Sequence, residues 1–302
     1  MEKELCGVIL VNKHKGVTSH DIVFKIRKLY NTKKVGHTGT LDPLATGVLP
    51  VLIGRGAKAA EYLLAENKGY RAEITLGVTT DTEDITGQIL TKSDTLPTKE
   101  EFFEAVEHFV GEIEQIPPMY SALKVDGKKL VDLAREGKIV ERQPRKIKIY
   151  SINAECVDEK QGIYNIDVEC SKGTYIRTLC ADIGAYLGCG ATMSQLERTK
   201  SGNFILNNAH TVAQIENMTD KEREELVLPV EELFLDAPRV ELSDFYARLC
   251  RSGCEIYQKK IKTSYPVDEF VRICDKDGFF ALGQVKAYPE GEAIKALKLF
   301  KL

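Results

Sequence analysis

The sequence predicts an α/β chain of the α+β kind, with a large mixed domain over residues 1–237 and a small β-rich domain over 238–302. Three observations predict it. Apolar, β-branched runs alternate with segments that carry helix caps and a helical apolar stripe. Beyond Pro238 the pattern shortens, and an Asp-Gly pair between two apolar runs signals a hairpin. Finally, 302 residues with 43% hydrophobic content can bury one large core and a smaller one.

Gly7 to Val11 reads as a buried strand and Asn12 to Gly16 as a turn. Thr18 and Asp21 have capping-box spacing, and Ile22, Val23, Ile26, Leu29 and Tyr30 recur on one face of the helix that follows. The run from Gly36 to Pro50 fits neither element. Its glycines allow sharp turns, Pro43 pushes the residue before it towards extended backbone, and Asp42 is its one acid. Leu41, Leu44, Val48 and Leu49 surround Asp42 with apolar side chains. A poorly solvated carboxylate held in a shaped loop is a candidate nucleophile, against the plainer reading of a hydrogen-bonded Asp-Pro turn.

Val51 to Ile53 is strand-like and Ala57 to Leu64 helical, while Gly54-Arg55-Gly56 lacks the spacing of a phosphate loop. Tyr70, Ala72, Ile74 and Leu76 alternate as in a half-buried strand. The acidic run Asp81-Thr82-Glu83-Asp84 leads through Gly87 to a strand at Gln88 to Leu90, fails the EF-hand pattern and reads as a solvated loop. Thr98 with Glu101 opens a second capped helix, with Phe102, Phe103, Val106, Phe109 and Val110 inward. From Pro117 to Arg145, turns interleave with Lys124, Lys128, Lys129 and Arg142 around one short helix at Leu130 to Glu136. That composition suits an arm over a phosphate backbone or a solvated loop equally.

Strands follow at Lys146 to Val157 and Ile163 to Cys170. Thr174 reads as the cap of a helix whose stripe is Ile176, Leu179, Cys180, Ile183 and Leu187, stopped by Gly188. Arg177 stands beside the core-facing Ile176. Buried, it needs an acid partner, and Asp42 is the candidate. Thr192 to Leu206 reads as strand and turn, Thr211 to Asn217 as a short capped helix, and Pro229 as the start of another. After Pro238 come a helix near Asp244 to Arg251 and two strands, Phe270 to Cys274 and Phe279 to Tyr288, joined at Asp275 to Gly278.

Net charge is only −3, but it is segregated. Residues 1–70 and 120–150 are each +5, whereas 81–114 is −8 and 214–236 is −6, as expected if one face meets a polyanion. The eight cysteines form no C-x-x-C pair and the five histidines do not gather beside them, which argues against zinc. No signal peptide or bilayer-length apolar run is present, so the expected location is the cytoplasm, with reduced thiols and no membrane contact.

The run Gly36-His37-Thr38-Gly39-Thr40-Leu41-Asp42-Pro43-Leu44-Ala45-Thr46-Gly47-Val48-Leu49-Pro50 resembles the aspartate motif of the TruB-type tRNA pseudouridine synthases. The resemblance continues through Gly69-Tyr70-Arg71, the run from Gln115 to Lys124 and the run from Cys170 to Thr178. It implies a catalytic domain with a mixed, mainly antiparallel sheet of the pseudouridine synthase type. It also implies an RNA-gripping thumb at about residues 117–145 and a C-terminal β-barrel of the PUA type.

The implied activity is isomerisation of uridine 55 in the tRNA T loop on a flipped-out base, with Asp42 as nucleophile. Tyr70 would stack on the base and Arg177 pair with Asp42. His37 would fill the gap left by the base, and Lys13, Tyr175, Lys124, Lys128, Lys129 and Arg142 would contact RNA. The reaction needs no redox change and no external atom, so the expectation is no cofactor and no metal. The expected partner is tRNA alone, through its T arm, with no obligatory protein partner and a monomeric enzyme. One departure stands out: His14 follows Lys13 where the family usually has proline. Two other readings are an RNA-binding module without catalysis and a subunit of a guide-RNA ribonucleoprotein. The presence of Asp42 argues against the first and the basic insertion against the second.

Overall fold

The computed structural model describes residues 5–65, 67–125 and 127–301. Strand β1 (Gly7–Lys13) leads into α1 (Ser19–Leu29), where Thr18 and Asp21 form the expected capping box. Short β2 (Val35–His37) and long β3 (Thr46–Ile53) flank the Asp42 loop, and a 3₁₀ helix, Gly54–Ala65, stands where a helix was expected. Next come β4 (Lys68–Leu76) and a separate hairpin of β5 (Val78–Thr80) with β6 (Ile89–Lys92). Helix α2 (Lys99–His108) carries the Thr98 capping box and lays Phe102 on Tyr164, ring centroids 3.9 Å apart. It ends before Val110, which is 44% exposed instead of facing inward.

Strand β7 (Gly111–Gln115) precedes the basic insertion, a hairpin of β8 (Lys124–Val125) and β9 (Lys128–Lys129) followed by α3 (Leu130–Arg135). Then β10 (Arg145–Asp158), β11 (Ile163–Cys170), α4 (Ile176–Tyr186) and β12 (Ala191–Ser201) complete the middle of the chain. Thr174 is not the cap of α4. Tyr175 holds that position without a side-chain bond, and Thr174 Oγ1 donates to Ser171 O at 2.9 Å instead. Short strands β13 (Phe204–Ile205) and β14 (His210–Thr211) lead to α5 (Val212–Glu216), capped by Thr211, and α6 (Asp220–Glu225).

These strands form one sheet in the order β14-β1-β3-β12-β4-β11-β10-β7, with β13 on β12 and β2 on β3. Within this sheet only the β1–β14 and β3–β12 strand pairs are parallel among the described residues, so the sheet is mixed and mainly antiparallel. One face buries Ile9, Val11 and Ile74 against α1, α2, α4 and α5. Because successive residues of a strand point to opposite faces, Val8 and Leu10 of β1 and Val48 and Leu52 of β3 line a second core behind the sheet.

That second core is closed by the end of the chain. After a 3₁₀ turn at Val230–Phe234, a five-stranded sheet forms in the order β15 (Arg239–Glu241), β17 (Phe270–Asp275), β18 (Gly278–Tyr288), β19 (Gly291–Leu299), β16 (Ile256–Tyr257). Two helices, α7 (Asp244–Arg251) and α8 (Gln258–Ile261), pack with it. The curled sheet fits a PUA-like domain, and the Asp-Gly turn joins β17 to β18 as expected. Phe279, Leu282 and Phe300 reach into the core behind β1 and β3. Among the described residues, no helix is long and apolar enough to cross a membrane.

Candidate active site

Asp42 stands in the loop between β2 and β3. Its neighbours Leu41, Leu44 and Ala45 are buried, but the carboxylate looks outward, its side chain 39% exposed. The Nε of Arg177 lies 3.0 Å from Asp42 Oδ2, the partnership expected from sequence. Arg177 is only 5% exposed as a side chain, and every guanidinium nitrogen has a partner. Nη1 donates to Thr82 O at 3.0 Å and Nη2 to Tyr120 O at 2.9 Å. Asp84 Oδ2 lies 3.9 Å from Nη1 as a second counter-ion.

Asp84 corrects the reading of the acidic run as a solvated loop. The residue is 5% exposed, and its Oδ1 accepts from Thr82 Oγ1 at 2.9 Å and from both the amide and hydroxyl of Thr86 at 2.9 and 2.5 Å. Backbone bonds Ile85 N–H to Met193 O and Met193 N–H to Glu83 O pin the loop onto β12. Glu83 takes the left-handed conformation, φ 64°, which non-glycine residues rarely adopt. Thr178 Oγ1, one residue past Arg177, donates to its carboxylate at 2.5 Å. Burial pushes the Glu83 carboxyl above its ordinary range, with Thr178 and Arg177 opposing.

One turn further along α4, burial and then Glu83 push Asp182 up to about 6. A carboxyl raised on folding stabilises the fold fully below its ordinary value near pH 4, and that contribution is lost as pH rises through about 6. Asp182→Asn should therefore melt above the parent at pH 8, by on the order of 1 kcal/mol after solvent screening, and show no gain at pH 4. Thermal melts at the two values check this.

The second half of the site is set by strand register. Lys13 pairs with Gly47 across β1–β3, Gly47 with Arg198 across β3–β12, and Arg198 with Tyr70 across β12–β4, so four residues form one row across the sheet. Gly47 has φ 108°, and a Cβ there would lie 2.3 Å from Arg198 O, so the approach of β3 to β12 needs glycine. Arg198 is 1% exposed. Its Nε donates to Val48 O at 2.8 Å and its Nη2 to Gly39 O at 3.2 Å, which ties both ends of the Asp42 loop to β12.

Tyr70, half-buried, faces this guanidinium. Burial raises its phenol and Arg198 opposes the shift. Burial, then Arg198 and His20, lower His37, whose Nδ1 accepts from Gly39 N–H at 3.2 Å. His37 is thus a neutral, partly exposed ring beside Asp42's loop, suited to stacking.

Lys13 is placed differently from an RNA contact. It is fully buried, and its ammonium donates to His14 O at 3.1 Å and Val17 O at 2.9 Å, so it braces the turn under the Asp42 loop. Burial lowers it to about 8, with Asp42 opposing. Tyr175 is half-buried. Its backbone is held on both sides by Gln115, N–H to Oε1 at 2.8 Å and Nε2 to O at 3.1 Å, and burial raises its phenol, with Ser121 opposing.

Lys124, Lys128 and Lys129 are exposed on the β8–β9 hairpin. Arg142 does not join them. Its Nη1 donates to Pro117 O at 3.1 Å and closes the base of the insertion, with Glu83 facing it.

Sequence reasoning missed Asp84 and Arg198. The two threonines around Asp84 were a turn signal that could have found it; no local signal marks Arg198. Among the described residues, no group of three or more His, Cys, Asp or Glu is placed to hold a metal.

The arrangement offers an outward carboxylate paired with a buried guanidinium, beside a desolvated phenol and a neutral imidazole. The family model of the TruB family pseudouridylate synthase N-terminal domain matches residues 27–176, and that of the tRNA pseudouridylate synthase B C-terminal domain matches 177–235. Over 279 residues, 92% of this chain and 95% of the relative, the chain is 43% identical to tRNA pseudouridine synthase B of Clostridium tetani. Over 298 residues, 98% of each, it is 42% identical to that of Alkaliphilus oremlandii. Among solved structures it resembles a chain of a Cbf5-Nop10-Gar1 complex, with TM-score 0.76 and 28% identity over 98% of this chain and 85% of that one. It also resembles a chain of an H/ACA RNP bound to a substrate RNA containing 2'-deoxyuridine, with TM-score 0.74, 26% identity and the same coverage. Matched from residue 27 to 235 and more than 40% identical to relatives over nearly its whole length, the chain belongs to the TruB family of pseudouridylate synthases, which are isomerases.

Proposed function

We propose that this enzyme converts uridine 55 in the T loop of tRNA to pseudouridine, acting as a single chain in the cytoplasm. The observation that carries this is the Asp42–Arg177 pair, 3.0 Å apart, with the carboxylate partly exposed and the arginine buried. The reaction breaks the N1–C1′ bond, turns the base, forms the C5–C1′ bond and moves a proton from C5 to N1. Asp42 attacks C1′ or assists glycal formation while the base is free. Tyr70 stacks on the base and assists the proton transfer at C5, its phenol kept protonated by burial.

The uridine must first leave its stack, which costs a few kcal/mol, and His37 offers a neutral ring for the gap. In this reading residues 1–237 are the catalytic domain, the insertion at 117–145 is the thumb, and 238–302 binds RNA beyond the T loop. Incubation of the purified chain with unmodified tRNA, followed by mapping, should find pseudouridine at position 55. Modification elsewhere only, or a demand for a guide RNA or second protein, would overturn the assignment.

The exposed thumb lysines serve binding more than chemistry. Replacing Lys124, Lys128 and Lys129 together with alanine should lower the slope of log K against log salt by roughly two to three units. The rate at saturating tRNA should change little. Binding titrations at several salt concentrations check it.

A further inference from the structure

We infer that Ser19 is a positioning residue for Asp42, an inference that rests on the reading of Asp42 as nucleophile. Ser19 is the first residue of α1 and 2% exposed, but its hydroxyl takes no part in capping that helix, since Thr18 and Asp21 do so reciprocally. Both of its hydrogen bonds go to Leu41, the residue before the nucleophile. Ser19 Oγ accepts from Leu41 N–H at 2.8 Å and faces Leu41 O at 3.2 Å as donor.

On the other side, Gly16 N–H donates to Pro43 O at 2.8 Å, and the carbonyl of Asp42 accepts from Ala45 N–H at 3.0 Å. The backbone is therefore gripped at three successive residues while the Asp42 side chain stays clear. The turn that supplies Gly16 is itself braced by the buried Lys13. Without the Ser19 hydroxyl, the buried Leu41 amide loses its acceptor, and the Leu41–Asp42 peptide is free to tilt. A nucleophile is sensitive to this, because an error near 1 Å in a reacting atom costs about a hundredfold in rate.

Ser19→Ala should lower the single-turnover rate on saturating tRNA by roughly 10- to 100-fold. It should leave the Kd for tRNA within about twofold, since no phosphate contact is lost. In the same variant the Leu41 amide should exchange hydrogen faster while amides in the middle of α1 do not. Ser19→Thr, which keeps the hydroxyl, should recover the rate to within a few-fold. A full rate in Ser19→Ala, an unchanged Leu41 exchange, or a Thr variant as slow as the Ala variant would overturn the inference. Asp42→Asn run in parallel separates the two readings: activity in that variant defeats the nucleophile assignment itself. A silent Asp42→Asn beside a full-rate Ser19→Ala defeats only the role of Ser19.

Discussion

Asp42→Asn should abolish pseudouridine formation, by at least about 10⁴-fold in rate, because the amide is isosteric but cannot act as the anionic nucleophile. Binding of tRNA should stay within a few-fold, since the change removes no cation that could contact a phosphate. The fold should survive as well. Arg177 keeps Asp84 as a counter-ion at 3.9 Å and its bonds to Thr82 O and Tyr120 O, so the buried cation is not left alone. Single-turnover assays and binding titrations on the same preparation separate chemistry from recognition. Turnover near the parent rate in a sequence-verified variant would remove Asp42 from the centre of the mechanism.

Arg177→Ala should be the more damaging change to the molecule as a whole. It strips the cation from Asp42, leaves the buried Asp84 carboxylate without its charge partner, and frees two carbonyls from different segments. Breaking a buried pair from one side costs about 3–5 kcal/mol, so a strong drop in melting temperature should accompany a rate loss of roughly 10³-fold. Arg177→Lys discriminates charge from geometry. One ammonium restores the charge but cannot reach Asp42, Thr82 O and Tyr120 O together, so the Lys variant should regain much of the stability and remain slow by about 10- to 100-fold. A Lys variant with the parent rate would show that charge alone suffices.

The order of difficulty in reading this chain follows the range of the interactions. Caps were legible because they are local: Thr18 with Asp21 and Thr98 with Glu101 advertise their helices within four residues, and both form. Asp42 and Arg177 were paired from sequence because a buried arginine requires an acid and the Asp42 run is unusual. Arg198 was invisible for the opposite reason. Nothing around it differs from an ordinary polar strand position, and it becomes central only when β12 pairs with β3 and β4 in one particular register. Lys13 was set against RNA by the resemblance alone, and the structure buries it. Carbonyls of a turn absorb its ammonium, an outcome that composition does not announce. Asp84 was hidden in an acidic run that opens with the exposed Asp81, because position within a loop decides burial and charge density does not.

The core behind β1 and β3 joins residues that lie far apart in the sequence. Val8 and Leu10 share it with Phe279, Leu282 and Phe300, so nearly the full length of the chain separates partners in contact. A chain still emerging from the ribosome can pair β1 with β3 early and cover the face that meets α1, but the opposite face, which Ala59, Phe204, Val230, Leu233 and Phe234 cover in part, is not closed until Phe279, Leu282 and Phe300 arrive. Contacts so distant in sequence form late, after the entropy of closing a long loop has been met. Until then part of that face offers exposed apolar surface, the kind on which incompletely folded chains associate. Truncation before Phe279 would strip Phe279, Leu282 and Phe300 from Val8 and Leu10 and leave the first strand partly wet.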